Sequence, residues 1–339
     1  MNMFNFIGEN SNDLLSKISN KDKEELLKLL RKYKIELRKE LNLNNNITFG
    51  LELEFGSNKP NIIESKLKSF NYKLLLEERL YNAWYEFKKE TSFVGGYEIT
   101  TPILTNQPDE WAQLSELCDM LVKNKAEIGE QTAGHIHFGT QVLGSNKENW
   151  INFFKLYVAY ENLIYRFSYG EYENRRPYTI AFAYPLGDMY YKKLQTIDDK
   201  TKLMALLKLM STEYKRKGLS FYKASNDMSF EKNKTIEFRM PNATLEPVIW
   251  QNNVNFFAHL LEYSTKNNFN LDKIEERTIK RKDSLGHLPS YVEIDIDEAL
   301  EFADLVFDNN LDKINFLRQY MKSFKSNGEF IKTKSFIKK

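Results

Sequence analysis

The segment Gly50-Leu51-Glu52-Leu53-Glu54-Phe55-Gly56 constrains the fold more than any other. Its strict alternation reads as a strand, because a strand sends successive side chains to opposite faces. Leu51, Leu53 and Phe55 then share one face, and Glu52 and Glu54 share the other. Two adjacent carboxylates repel unless the face is fully wet or a positive group, such as a metal ion, lies between them. Both readings are open from this segment alone.

The same polar-x-polar pattern returns three times in apolar, strand-like settings: Glu98-Ile99-Thr100, His135-Ile136-His137 and Glu237-Phe238-Arg239. Only four histidines occur in the chain, and two of them stand at i, i+2 between Gly134 and Gly139. That spacing puts both imidazoles on one strand face, and the flanking glycines let a ligand or backbone come close. Glu237 and Arg239 read either as an in-strand ion pair or as a cation-binding carboxylate beside a guanidinium fork suited to phosphate. Arg175 and Arg176 add two positive charges in a loop, where anion binding and plain solvation are both common. His259 and His287 read as structural or surface residues.

Together Glu52, Glu54, Glu98 and Glu237 would bring about four negative charges to one sheet face. Roughly two divalent cations would relieve such a cluster. A ligand set rich in carboxylates favours Mg²⁺ or Mn²⁺ over Zn²⁺, and a histidine suits Mn²⁺. With Arg239 and Arg175 or Arg176 near, such metals would bridge phosphates. No Walker-type or Gly-x-Gly-x-x-Gly loop occurs, so a nucleotide would have to be held by this metal-lined sheet.

Composition narrows the class. Hydrophobic residues make up 42% of the 339 and aromatic residues 14%, enough for a substantial core and unlike a disordered chain. The formal charge is +2, so no global field recruits nucleic acid or an acidic membrane. Cys118 is the one cysteine, which excludes an internal disulfide and a cysteine-rich zinc site. No apolar run approaches the ~18 residues of a membrane span, and a cytoplasmic location is expected.

Along the chain, Leu26, Leu30, Tyr33, Leu37 and Leu41 recur at helical spacing, which predicts a helical extension over 1–47. Its apolar stripe could dock a partner or a second copy of the chain, and packing on its own domain is the plainer use. Segment 62–90 reads as mixed, helical through Phe70, strand-like at Tyr72, Leu74 and Leu76, with Tyr81 to Lys88 as a further candidate strand. Gly95-Gly96 turns into a strand stopped by Pro102. Asp109 offers an N-cap to the next helix. Trp150 to Phe167 is an apolar helix, 170–196 an ordered loop, 200–217 a helix, and Pro247 opens another. Two helices near 296–307 and 311–324 precede a basic tail at 326–339. The expected layout is a core over 48–270, with 271–325 as its helical C-terminal part. The strands follow no regular βαβ beat, so the expected class is α+β, an antiparallel sheet with helices packed on one side.

At this point the chain resembles the amidoligase family of the glutamine synthetase-like carboxylate-amine ligase superfamily. The matching stretches are Phe49 to Phe55, Gly96-Tyr97-Glu98-Ile99-Thr100-Thr101-Pro102, Gly134-His135-Ile136-His137-Phe138-Gly139, the arginine loop near Arg175, and Thr235 to Arg239. Ala133-Gly134 stands where members often carry Cys-Gly, and Glu90-Thr91-Ser92 where they often carry Asp-Gly-Ser. The resemblance implies a sheet whose concave face binds ATP and two divalent metals, Mg²⁺ or Mn²⁺. Metal ligands would be Glu52, Glu54, Glu98, His137 and Glu237, with Glu52 and Glu54 on different metals, Glu98 on one and the histidine and Glu237 on the other, and with His135 on substrate or phosphate. Arg239 and Arg176, with Glu52, would hold the nucleotide, and Arg239, Arg175 and His135 would serve catalysis. The implied reaction joins a small-molecule or peptide carboxylate to an amine through an acyl phosphate. A phosphotransferase on the same fold, a single-metal His-x-His protein of cupin or hydrolase type without ATP, and a catalytically silent scaffold are the alternatives.

Overall fold

The alternation at Gly50–Gly56 becomes β1 (Phe49–Gly56), the third strand of a six-stranded sheet. The computed structural model describes Leu26, Leu30 and residues 33–79, 84–129, 131–172, 182–211, 217–221, 234–287, 291 and 294–322. The other strands are β2 (Glu86–Lys89), β3 (Gly96–Thr100), β4 (Gly134–Gly139), β5 (Leu219–Ser220) and β6 (Thr235–Phe238). Their order is β2-β3-β1-β4-β6-β5, and every neighbouring pair is antiparallel. Nine helices accompany the sheet among the described residues, so the class is α+β.

The apolar residues of the strands all leave one face, and three helices cover it. These are α2 (Pro108–Lys123), α3 (Lys147–Ser168) and α6 (Pro247–Tyr263). Phe49 stacks on Trp111 of α2 at 5.3 Å, Phe238 stacks on Phe257 of α6 at 4.1 Å, and Phe153 of α3 meets Phe238 edge-on at 6.2 Å. Aromatic pairs in these geometries add to burial a directional preference that holds the helices in register with the strands. α1 (Pro60–Leu76) packs on α2. Beyond α3 lie α4 (Gly187–Leu194), which contacts α5 (Leu203–Met210), and α7 (Leu271–Arg281). α8 (Ile296–Val306) and α9 (Asn310–Met321) close the layer against α3 and α6. No helix among the described residues is long and apolar enough to cross a membrane.

Several expectations need correction. Tyr72, Leu74 and Leu76 are helical, because Leu74 continues the buried stripe of Ile63, Leu67 and Phe70 and extending a formed helix is easier than starting a strand. Leu26 and Leu30 are helical and buried, but residues 33–47 contain no helix. Side chains of the core capture that backbone instead. Gln251 binds both the N–H and the carbonyl of Arg38, at 2.7 and 2.8 Å, and Asn106 does the same for Leu41 at 2.8 and 2.9 Å. The N-cap of α2 is Gln107 and not Asp109, with Pro108 in the first turn and Glu110 closing a capping box. Asp109 binds Arg79 at 2.7 Å. Within the expected loop 170–196 stands α4, whose first amides at Leu186 and Gly187 bind the buried Glu161 at 2.6 and 2.7 Å. α7 is a further helix ahead of the two expected near 296–307 and 311–324, and Ile274 is its one buried residue. The expected helix over 200–217 is described only through α5, and the basic tail at 326–339 lies outside the described residues.

Gly134, at the start of β4, shows how tightly the helices press on the sheet. A Cβ there would stand 2.6 Å from the ring of the fully buried Trp250 and 3.0 Å from the carbonyl of Asn242. Gly134→Ala should therefore lower stability by about 1–3 kcal/mol, as overpacking does, read as a lower urea midpoint at unchanged m-value.

Candidate active site

Antiparallel register brings the polar residues of five strands onto the face opposite the helices. Across β1, Glu54 pairs with Glu98, Glu52 pairs with Thr100 on one side and His135 on the other, and Gly50 pairs with His137. His137 in turn pairs with Glu237. Residues far apart in the chain thus become lateral neighbours through strand pairing alone.

Side-chain distances tighten the picture. Glu52 hydrogen-bonds His135 Nδ1 at 2.7 Å through one oxygen and His137 Nε2 at 3.0 Å through the other. Burial pushes the Glu52 carboxyl up, but the two imidazoles more than offset this and hold it below the carboxylate range. Burial likewise lowers His137, and its bond to Glu52 and the charge of Glu237 turn the net shift upward. His137 Nδ1 is fixed by Thr235 Oγ1 at 3.0 Å. His135 Nδ1 lies 3.7 Å from Glu237, and Arg239 Nη1 donates to the same Glu237 oxygen. Glu54 takes the Ala133 N–H at 2.6 Å and stands 3.7 Å from His135 Nε2.

Two groups of three could each hold a metal ion, with ligand atoms all within 4.8 Å of one another: Glu52, His135 and Glu237, and Glu54, Glu90 and Glu98. The donor chemistry suits hard divalent cations, since five of the six side chains are carboxylates. Two observations favour an ion. His135 Nε2 is buried with no hydrogen-bond partner. Glu98 is pushed up to about 8 by burial and then by Glu52 and Glu54, with Lys88 opposing, which marks an excess of negative charge in the cluster.

The expected ligands Glu52, Glu54, Glu98 and Glu237 all fall in these groups. His135 stands in the first group, and His137, expected on metal, has its Nε2 3.0 Å from Glu52 and 3.9 Å from Glu237 and its Nδ1 on Thr235. Sequence reasoning missed Glu90. It stands one residue past β2, where its N–H bonds the Gly96 carbonyl at 3.1 Å and continues the alternation of Glu86 and Lys88, and it binds the Ser92 N–H at 2.6 Å. Arg239 is at the site, and Arg175 and Arg176 lie outside the described residues. Beyond His137 the face opens into a cavity of about 230 Å³, bounded by Thr48, Gly50, Pro102, Ile103 and Thr235 and carrying no formal charge apart from His137.

A family model described as "Putative amidoligase enzyme" matches residues 68–261, more than half of the chain. The match includes Glu90, Glu98, His135, His137, Glu237 and Arg239, while Glu52 and Glu54 precede it. No curated protein matches the chain.

Proposed function

The chain belongs to the amidoligase family, and on that premise we propose that it is an ATP-dependent carboxylate-amine ligase. The observation that carries this reading is the division of labour on β1. One strand sends Glu52 and Glu54 into two separate three-ligand groups, the arrangement that handling a polyphosphate beside a second anion calls for.

In this reading Glu52, His135 and Glu237 hold one cation and Glu54, Glu90 and Glu98 hold another, Mg²⁺ or Mn²⁺. When bound, such ions neutralise phosphate charge and polarise the phosphoryl group in transfer. An oxygen of the substrate carboxylate attacks the γ-phosphorus of ATP, and ADP leaves with the electrons of the broken P–O bond. The amine then attacks the acyl carbon, phosphate departs, and the nitrogen loses a proton to give the amide. Arg239 presents its planar fork to the phosphate oxygens. His137, oriented by Thr235, holds the Glu52 carboxylate in place through its other nitrogen. The uncharged cavity beside His137 suits the base. A phosphotransferase would use the same groups up to the first transfer. A single-metal His-x-His protein is less well supported, because Glu54, Glu90 and Glu98 form a second three-ligand group that contains neither imidazole.

Thermal denaturation tests the premise. ATP with Mg²⁺ should raise the midpoint by about 5 °C or more at saturating concentration. Stabilisation by Zn²⁺ or Fe²⁺ alone, with none from MgATP, sinks the ligase reading. ADP release that needs both a carboxylate and an amine separates a ligase from a phosphotransferase, which needs a single acceptor.

A further inference from the structure

Strand β2 places a second cation on the polar face. Phe87 packs toward Phe55 and Tyr97 on the apolar side, so the alternating Glu86 and Lys88 point to the side of the carboxylates. Lys88 stands directly across from Glu98 in the β2–β3 register. Its ammonium lies 3.2 Å from Thr100 Oγ1 and 3.1 Å from Glu86, and its side chain is half exposed.

That ion pair is no strong structural reason for a lysine here, since exposed pairs contribute little. Guarding the open edge against stray pairing is another use of an edge lysine, but Lys89 next to it can serve that end from the opposite face. Position within the sheet is more informative. The order β2-β3-β1-β4-β6 puts Lys88 and Arg239 four strand steps apart, roughly 19 Å at the usual strand spacing. Both candidate metal groups lie between them. A polyphosphate and a substrate carboxylate are both anions and repel, so each needs its own cation. Arg239 stands beside the Glu52–His135–Glu237 group, and Lys88 stands beside the Glu54–Glu90–Glu98 group.

Resting on the ligase reading, we propose that Lys88 binds the carboxylate substrate and the acyl phosphate formed from it. The acyl half of the reaction then lies over β2 and β3, and the nucleotide lies over β4 and β6. Lys88 can leave Glu86 for a substrate oxygen at small cost, because the pair it gives up is solvated.

The probe is acetonylphosphonate, a stable acyl phosphate mimic whose methylene replaces the bridging oxygen and which is small enough to need no side-chain pocket, titrated calorimetrically into the protein with Mg²⁺ and ADP. Lys88→Met should weaken its binding about tenfold or more, equivalent to about 1.4 kcal/mol. Lys88→Arg should restore most of it, Glu86→Gln should leave it unchanged, and MgATP affinity should stay within about twofold of wild type in all three. The proposal is overturned if Lys88→Met binds acetonylphosphonate like wild type, if wild type does not bind it, or if Glu86→Gln or MgATP affinity suffers equally. MgATP failing to bind wild type is a separate result, and it removes the ligase reading itself.

Discussion

Glu98→Gln, stripped of divalent metal with EDTA at pH 8, is expected to unfold at a higher temperature than wild type, and with Mg²⁺ to release ADP at least about 100-fold more slowly. Glu98 faces Glu54 across β3 and β1 and shares a three-carboxylate group with Glu54 and Glu90. Burial, then Glu52 and Glu54, raise its carboxyl to about 8. A carboxyl raised in the folded state above its unfolded value of 4.5 costs nothing while protonated in both states. Its penalty grows as pH rises from 4.5 and is complete above about 8. The neutral amide escapes about 1–2 kcal/mol of that penalty at pH 8, after discounting for partial solvent access. Excess Mg²⁺ should reverse the order, because the variant has lost an anionic ligand. A lower EDTA midpoint for the variant at pH 8 would contradict the repulsion account.

The second large effect lies in the helical layer. Asp312→Ala should cost about 3–5 kcal/mol, because it strands buried charge. Asp312 is fully buried and binds Arg38 at 2.7 Å, Asn255 at 2.9 Å and the Asn309 side chain, with His259 Nε2 at 3.4 Å. Glu262 holds the other nitrogen of His259 at 3.2 Å. Burial lowers His259, but Asp312 and Glu262 together raise it to about 9. Its stabilisation is therefore complete below pH 6.5 and is lost as pH rises through about 9. Burial raises Asp312, and His259 and Arg38 bring it down to about 2, so its share is present above 3.8 and lost as pH falls through about 2. Urea midpoints of Glu98→Gln, which lacks the penalty at Glu98, should form a plateau between about pH 4 and 6.5 and decline toward pH 9.5. Adding Asp312→Asn should flatten the alkaline limb. A midpoint of Glu98→Gln unchanged from pH 7 to 9.5 would refute this network's role.

The site's strand residues were legible because strand alternation is a local property. Glu52, Glu54, Glu98, His135, His137, Glu237 and Arg239 each announced their face by their apolar neighbours, and once the strands pair antiparallel those faces coincide. Electrostatic detail was not legible. Repulsion expected between Glu52 and Glu54 is relieved at Glu52 by two imidazoles and concentrates on Glu98, because which charges neutralise depends on lateral neighbours set by register. Glu90 joined the cluster from just past β2, and Lys88 lies on that strand, within the stretch Tyr81 to Lys88 that reads as one, but its place opposite Glu98 follows only from the register.

By itself, then, the sequence determined the period of each long apolar segment, the polar face of each central strand and the family. The periods and faces follow from side-chain spacing within about ten residues of chain, and the family from the resemblance of the Glu-x-Glu, His-x-His and Glu-x-Arg stretches to its members. Tertiary structure alone decided that both histidines close on Glu52 and Glu237, that residues 33–47 are captured by Gln251 and Asn106 without forming a helix, and that Glu90 joins Glu54 and Glu98. Each of those outcomes turns on contacts between side chains distant in the chain, whose distances and desolvation no local pattern encodes.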